Sequence, residues 1–361
     1  MNPESKTPTA NVNTQNSKKT KHLKRLKVFA AALTVLGIAL FAYFIYTVGV
    51  WEILGGIARI GFGGFALILL LYFLRICCRA LSWKLSVNEP YELKFSDTLP
   101  AVIIGEALSS LIPLGILISG TSKAVAVRHR VPMVVGLSSV ATENLFYSLA
   151  TGLFICFGAF AFLKNFDLPE AWILTIDALI VLVLILIALG AAMVIRQWHF
   201  LSSFCNWLYN RHMLRGILED GRGQVRIFED LIYGFYRKYP LRFAPIFLIQ
   251  IVFHALGIAE VFFVLSRLSD IAPSIYNSFL LESVSRVITV VFKLIPFLIG
   301  VDEAGAQFVA ETLALGAGLG VTLAIIRKGR ILFWTAVGMI LILRREISIL
   351  ELFQHSEKDE N

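Results

Sequence analysis

The sequence predicts an all-α, polytopic integral membrane protein, with about seven or eight transmembrane helices and two broken or re-entrant elements. Three observations carry this. The 361 residues are 57% hydrophobic and 16% charged, with a mean hydropathy of +0.75, whereas soluble domains average about a quarter charged residues. Apolar runs of membrane-spanning length recur from Val28 onward. Two of the apolar stretches are interrupted by proline and glycine, with ionisable residues beside the interruption.

Residues 1–27 are polar and end in KKTKHLKRLK, with seven Lys/Arg against the single acid Glu4. They are expected to be a disordered cytoplasmic tail. Val28–Val48 has the roughly 20-residue length of a span, and AYFIYTVGVW at its end has no small-residue cleavage site. It is therefore expected to be an uncleaved first helix rather than a signal peptide. A short connection leads to a second span over Gly63–Leu85, on which Arg75 and Arg79 share one face. Arg79 and Lys84 are expected to snorkel to the interface.

The first interruption lies in GEALSSLIPLGILISGTSKAVAVRHR, Gly105–Arg130. Pro113 removes a backbone donor and clashes with the preceding turn, so a straight helix does not pass through it. Glu106 precedes the break, and Lys123, Arg128, His129 and Arg130 follow it. Because the basic end suits the cytoplasm, the chain is expected to turn back as a re-entrant hairpin; the alternative is a full crossing, which would put three basic charges outside. Pro132 then opens a helix to about Leu163, since proline suits a first helical position. Ala171–Ile195 is the next span.

Residues 196–242 form the longest polar insertion, with eight Lys/Arg against four acids. Together with the basic tail, it puts the cationic segments on one side, as positive-inside topology requires. An amphipathic helix is expected over Gly223–Tyr239, with Trp198, Trp207, Tyr233, Tyr236 and Tyr239 suited to the interface. Phe243–Leu265 and Ser274–Ile295 are further spans. The second interruption follows, in IPFLIGVDEAGAQFVAETLALG, where Pro296 and Gly300 precede Asp302 and Glu303. The last element covers Leu319–Leu343, and the residues from 346 form an acidic tail. Each half thus holds a proline break followed by glycine, and paired interrupted segments point to a transport site.

A charge at a helix centre costs roughly 2.5–3.5 kcal/mol on insertion scales, so buried charges are expected to be paired or functional. The candidates are Arg75, Arg79, Glu106, Lys123, Glu143, Glu260, Glu282, Arg286, Lys293, Asp302, Glu303, Glu311, Arg327 and Arg330. Glu282 and Arg286, in the favourable i, i+4 order, are expected to be a structural ion pair. His254 is expected to be a packing residue. Glu106, Lys123, Asp302 and Glu303 flank the breaks and are the stronger functional candidates. The four cysteines, Cys77, Cys78, Cys156 and Cys205, show no CxxC spacing and are expected to pack as small residues. No G-x-S-x-G, H-E-x-x-H or Walker motif is present, so no cofactor, metal site or ATP machinery is expected.

The order of GEALSSLIPLG, GTSKAVAVRHRVP, ATENLFYSLATGLF, HALGIAE, PFLIGVDEAGAQF and AIIRKGRILFWTAVGMILI resembles a flippase-like membrane domain. That domain is shared by bacterial lysylphosphatidylglycerol synthases and a large group of stand-alone proteins, one of them associated with hopanoid biosynthesis. The resemblance covers about residues 28–345. The family pattern G-E-x-x-N-x-x-x-P is met at Gly105, Glu106 and Pro113, with Ser109 in place of Asn. A family Gly-Gly-Glu followed by a basic residue is met only at its basic end, Lys123. Ser119-Gly120-Thr121 stands for the rest, so no role of that acid is carried over. The pattern P-x-x-x-G-x-x-E is met at Pro296, Gly300 and Glu303.

The resemblance implies movement of a phospholipid, glycolipid or prenyl-phosphate-linked lipid between leaflets of the bacterial inner membrane, with the N-terminus cytoplasmic. Lys123 and Arg128 are expected to meet a phosphate, and Glu106, Asp302 and Glu303 to balance or gate it. Pro113 at the break and Arg330 complete the expected substrate-binding set. The synthases' aminoacyl transfer belongs to a separate soluble domain, so no enzyme activity is expected. Membrane lipids and lipid-biosynthesis enzymes are the expected partners, and nucleic acid is not. The alternatives are a membrane enzyme using Glu303 or Glu106 as base, and a non-transporting subunit that docks through 196–242.

Overall fold

The uninterrupted apolar runs fold as helices whose lengths follow the runs. The computed structural model describes residues 50–111, 115–166, 170–211, 215–269, 272–292, 301–315 and 318–344. The expected first span, both tails, Pro113, Lys293, Pro296 and Gly300 lie outside the described residues. Among the described residues every regular element is a helix.

The first, α1, runs over Val50–Leu85, longer than the span expected from Gly63. The segment expected as a connection is helical too, and the helix bends at Gly61, whose φ of 74° suits a residue without Cβ. One stripe of α1 (Ile68, Arg75, Ile76, Arg79, Ser82 and Trp83) is buried, while Leu67, Leu70, Leu74 and Leu81 face outward. That outer stripe suits lipid and the inner one suits a polar interior.

Helices α2 (Phe95–Leu111) and α3 (Gly115–Ala126) pack against each other. They run antiparallel: Asp97 lies 3.7 Å from Arg130, which follows α3, while Gly105 faces Lys123 and Ser119. At 17 and 12 residues they are about 25 and 18 Å long, short of the ~30 Å hydrocarbon core. Helix α4 (Met133–Asn165) starts directly after Pro132, as expected, and α5 (Glu170–Arg196) lies against it with most of its leucines and isoleucines outward.

The polar insertion holds two helices, α6 (Phe200–Asn210) and α7 (Arg215–Lys238). Only the second was expected. The Glu229 carboxylate accepts from the Leu201 and Ser202 N–H groups at 2.7 and 3.2 Å and from the Ser202 hydroxyl at 2.6 Å. It thereby satisfies donors that a helix start leaves open. A turn at Pro240–Arg242 leads into α8 (Phe243–Leu268). Arg242 donates to Val87 O at 2.9 Å and Asn88 to Leu231 O at 3.0 Å. The ends of α1 and α7 and the start of α8 therefore share one face of the bundle.

The remaining helices are α9 (Ile275–Val291), α10 (Val301–Thr312) and α11 (Leu319–Arg344). Helix α10 packs on both of its neighbours, and α11 also lies against α1 and α2. Gly338 permits the latter approach, since a Cβ there would lie 3.0 Å from Ile103 O. Among the described residues, four helical stretches are long and apolar enough to cross a membrane: Ala58–Leu85, Met133–Asn165, Ile173–Arg196 and Pro240–Leu268. Helix α11 has the length, but its basic residues set it apart.

Candidate functional site

Ionisable side chains of α1, α8, α9 and α11 converge inside the bundle. Glu282 of α9 is at the centre, 1% exposed, and three guanidiniums surround it. Arg75 approaches at 3.2 Å, Arg286 at 3.1 Å and Arg327 at 2.7 Å. Glu260 of α8 pairs with Arg330 and lies 3.8 Å from Arg75. Arg327 also donates to the Ser285 hydroxyl at 2.7 Å, and Ser285 donates to Asp302 at 3.3 Å. Beside this cluster Glu303 of α10 pairs with Lys328 of α11.

Aromatic rings hold the guanidiniums flat. Arg75 lies 4.3 Å over the Phe253 ring and Arg330 lies 4.2 Å over Tyr72, contacts that gain from the absence of water. Gly257 makes the convergence possible. A Cβ there would stand 2.8 Å from the Glu282 carboxyl carbon and 3.0 Å from Arg75 Nη1.

A second cluster lies one turn along α1. Arg79 donates to Glu143 from Nε at 2.7 Å and Nη2 at 3.0 Å, and to Asn144 at 2.9 Å. Its guanidinium covers the Tyr147 ring at 4.3 Å, and Tyr147 also meets Arg286 of the first cluster. Glu106 lies 3.7 Å from Arg79 and is 32% exposed, making it the more open of the two acids. Buried polar pairs continue toward the α1 end: Trp83 to Ser139 at 2.9 Å and Gln250 to Ser82 at 2.9 Å.

Arg79 therefore corrects the snorkelling expectation: a bidentate buried carboxylate outweighs the interface for a side chain that faces inward. Lys84 is exposed. Glu282 and Arg286 are paired as expected, but within a larger set. His254 packs against Phe154, and its Nε2 lies 3.2 Å from Thr151 Oγ1, in keeping with a packing role. Glu311, grouped with the buried charges from sequence, is exposed and accepts from Gln307 at 2.7 Å. The cysteines are half-buried free thiols.

Of the expected substrate-binding residues, Arg330, Asp302 and Glu303 lie in or beside the first cluster and Glu106 in the second. Lys123 is buried, with its aliphatic chain against Gly105. Arg128 is exposed in the turn after α3. Pro113 lies outside the described residues. Sequence reasoning placed Arg75, Glu260 and Arg327 among the buried charges without assigning them to the site. The available signal was Arg75 and Arg79 on one helical face, together with the basic triplet Arg327, Lys328 and Arg330 in an apolar helix.

Removing an ion from water costs several kcal/mol after relaxation, and partners repay it only with good geometry. So large an ionic set within helices that are apolar outside is costly to maintain and suits a polar visitor. A sequence model of the family described as "Lysylphosphatidylglycerol synthase TM region" matches residues 28–338. No curated protein and no solved structure matches the chain.

Proposed function

The chain belongs to the lysylphosphatidylglycerol synthase transmembrane-region family, and from that membership and its interior charges we propose that it moves a lipid with a charged headgroup between membrane leaflets. The headgroup passes along the ionic interior while the acyl or prenyl tails stay in hydrocarbon. The supporting observation is the pair of charge clusters on successive turns of α1, at Arg79 and Arg75, linked through Tyr147. Helical neighbours four residues apart stand about 6 Å from one another. A headgroup leaving the half-open Glu106–Arg79 cluster would then meet the Arg75 cluster within one short step.

The α2–α3 pair supports the re-entrant reading. Both helices are shorter than a span, and the Asp97–Arg130 contact brings the two outer ends together. With the basic insertion bonded to the same end of the bundle, that face is proposed as cytoplasmic, in a bacterial inner membrane. In the resting site Glu282, Glu260 and Glu143 occupy the guanidiniums, and a lipid anion exchanges with them. The acids thus keep the path closed to unspecific ions. Exchange would be passive or driven by a gradient, and no chemical conversion of the lipid is proposed.

The test is reconstitution of the full chain into liposomes carrying a fluorescent phospholipid, with reduction of the outer-leaflet dye from outside. Protein-dependent loss of the protected inner-leaflet signal is expected. A protected fraction equal to that of protein-free liposomes for phospholipid, glycolipid and prenyl-phosphate substrates would overturn the proposal.

A further inference from the structure

We propose that α6 is an interfacial helix: its aromatic face lies in the headgroup layer of the membrane, with anionic phospholipid as its partner. The chain leaves the span of α5 at a defined stop. The Trp198 N–H bonds Met193 O at 3.1 Å and the Gln197 N–H bonds Val194 O at 3.3 Å, around a left-handed Gln197 with φ 50°. This pattern closes a helix on its last carbonyls, so α6 is a separate element that starts beside the end of the span.

On α6, Phe200, Phe204 and Trp207 follow the spacing of one helical face. Their rings succeed one another at 6.4 and 5.9 Å, and with Trp198 and Leu201 they are 46–62% exposed. Ser202, on the opposite side, is buried against Glu229 of α7, and the Tyr233 hydroxyl donates to the Trp198 carbonyl at 2.6 Å. Helix α7 itself packs on α4. The aromatic face is thus held outward on a fixed support, and Asn206 and Asn210 on a third side are exposed.

Apolar surface of this kind marks an interaction site. Two observations name the bilayer surface as its occupant. The face continues the outward residues of α5, which end in Ile195 at 79% exposure. A cation also stands at each end: Arg196 lies 5.6 Å over the Trp198 ring and Arg211 5.0 Å over Trp207, while Phe200–Asn210 contains no acid. Tryptophan beside arginine suits the boundary between hydrocarbon and phosphate, and the two cations favour anionic lipid.

The docking also sets a depth. Helices α4 and α5 run antiparallel and meet at Gly152, where a Cβ would stand 3.0 Å from Ile187 and 3.2 Å from Val183. Glu143 is nine residues before Gly152 and Arg196 nine after Ile187, so both lie about 14 Å from that contact in the same direction. Helix α6 therefore starts level with the Glu106–Arg79–Glu143 cluster and holds its open edge at the headgroup layer. That this edge admits a lipid headgroup rests on the translocase reading; the docking of α6 does not.

The test uses the full chain with its four cysteines replaced by serine, reconstituted in phosphatidylcholine vesicles containing a minority of phosphatidylglycerol. Phe204→Cys and Asn206→Cys each carry a bimane label. The quenchers are iodide on both sides of the membrane and phospholipid bearing a nitroxide near its headgroup. The label at 204 should be quenched by the lipid and spared by iodide, and the label at 206 the reverse. Nitroxide phosphatidylglycerol should quench the first more strongly than nitroxide phosphatidylcholine. Arg211→Gln should reduce that excess by up to about fivefold, the scale of one surface cation.

Iodide quenching of the label at 204 would overturn the docking. Shielding from both quenchers would overturn it in favour of a protein partner or a second copy. Equal quenching by the two lipids, unchanged in Arg211→Gln, would overturn the anionic partner. If the cysteine-free chain does not fold, hydroxyl-radical footprinting of the unaltered chain in single-copy nanodiscs decides. Protection of Trp198 and Trp207 supports the docking, and oxidation as free as in the unfolded chain overturns it. None of these readouts measures lipid movement, so a negative transport assay leaves them standing.

Discussion

Glu282 and Arg327, 45 residues apart in sequence, meet at 2.7 Å inside the bundle, and Ser285 one turn along α9 receives the same guanidinium. This contact joins α9 to α11, and the same carboxylate holds Arg75 of α1 and Arg286 of its own helix. One acid thus ties three helices together.

Glu282→Gln should destabilise the protein strongly, since it strands three buried guanidiniums. Loss of one partner of a buried pair costs about 3–5 kcal/mol. The check is the melting temperature of the purified protein in detergent, set beside Glu311→Gln. Glu311 is exposed and contacts only its own helix among the described partners, so a change within about 0.5 kcal/mol is expected there. Equal melting of the two variants would refute the ionic tie.

Arg79→Lys should not substitute for arginine. The wild-type side chain makes two bonds to Glu143 and one to Asn144 while lying over Tyr147. An ammonium cannot reproduce that planar fork, so a loss of about 1–3 kcal/mol in stability is expected. Lipid movement in liposomes should fall with it. Wild-type melting and transport in Arg79→Lys would show that only the charge matters.

Gly257→Ala should be damaging although it adds a single methyl group, because that group meets the Glu282 carboxylate and Arg75. Overpacking of this kind typically costs about 1–3 kcal/mol. Gly234→Ala on α7, where a Cβ would find nothing within 4 Å, should be neutral or stabilising by up to about 1 kcal/mol. Thermal melts of the two variants, measured side by side, separate a packing effect from a backbone one.

The hairpin geometry predicts sidedness. In a chain whose four cysteines are replaced by serine, Arg128→Cys and Lys238→Cys should both resist a membrane-impermeant thiol reagent in intact cells. Both should react once the membrane is permeabilised. Labelling of the first alone in intact cells would mean that α2 and α3 cross the bilayer between them.

Much of this architecture was legible in sequence because it is local. Helix α4 starts after Pro132, and α5, α8 and α11 follow their apolar runs to within a few residues. Other features were not local. Helix α6 is short, and it is stabilised at its start by Glu229, which lies 27 residues or more away from the groups it bonds. Arg79 near a helix end looks like a snorkelling residue until α4 brings Glu143 beside it.

By itself the sequence determined that the chain is helical, belongs in a membrane and carries costly charges, because propensity and transfer energy depend on residue type and period. Only the tertiary structure decided which charges meet and that Arg75, Glu260 and Arg327 join the site. The physical reason is that ion pairing acts over a few ångströms, so it depends on how helices distant in sequence pack face to face.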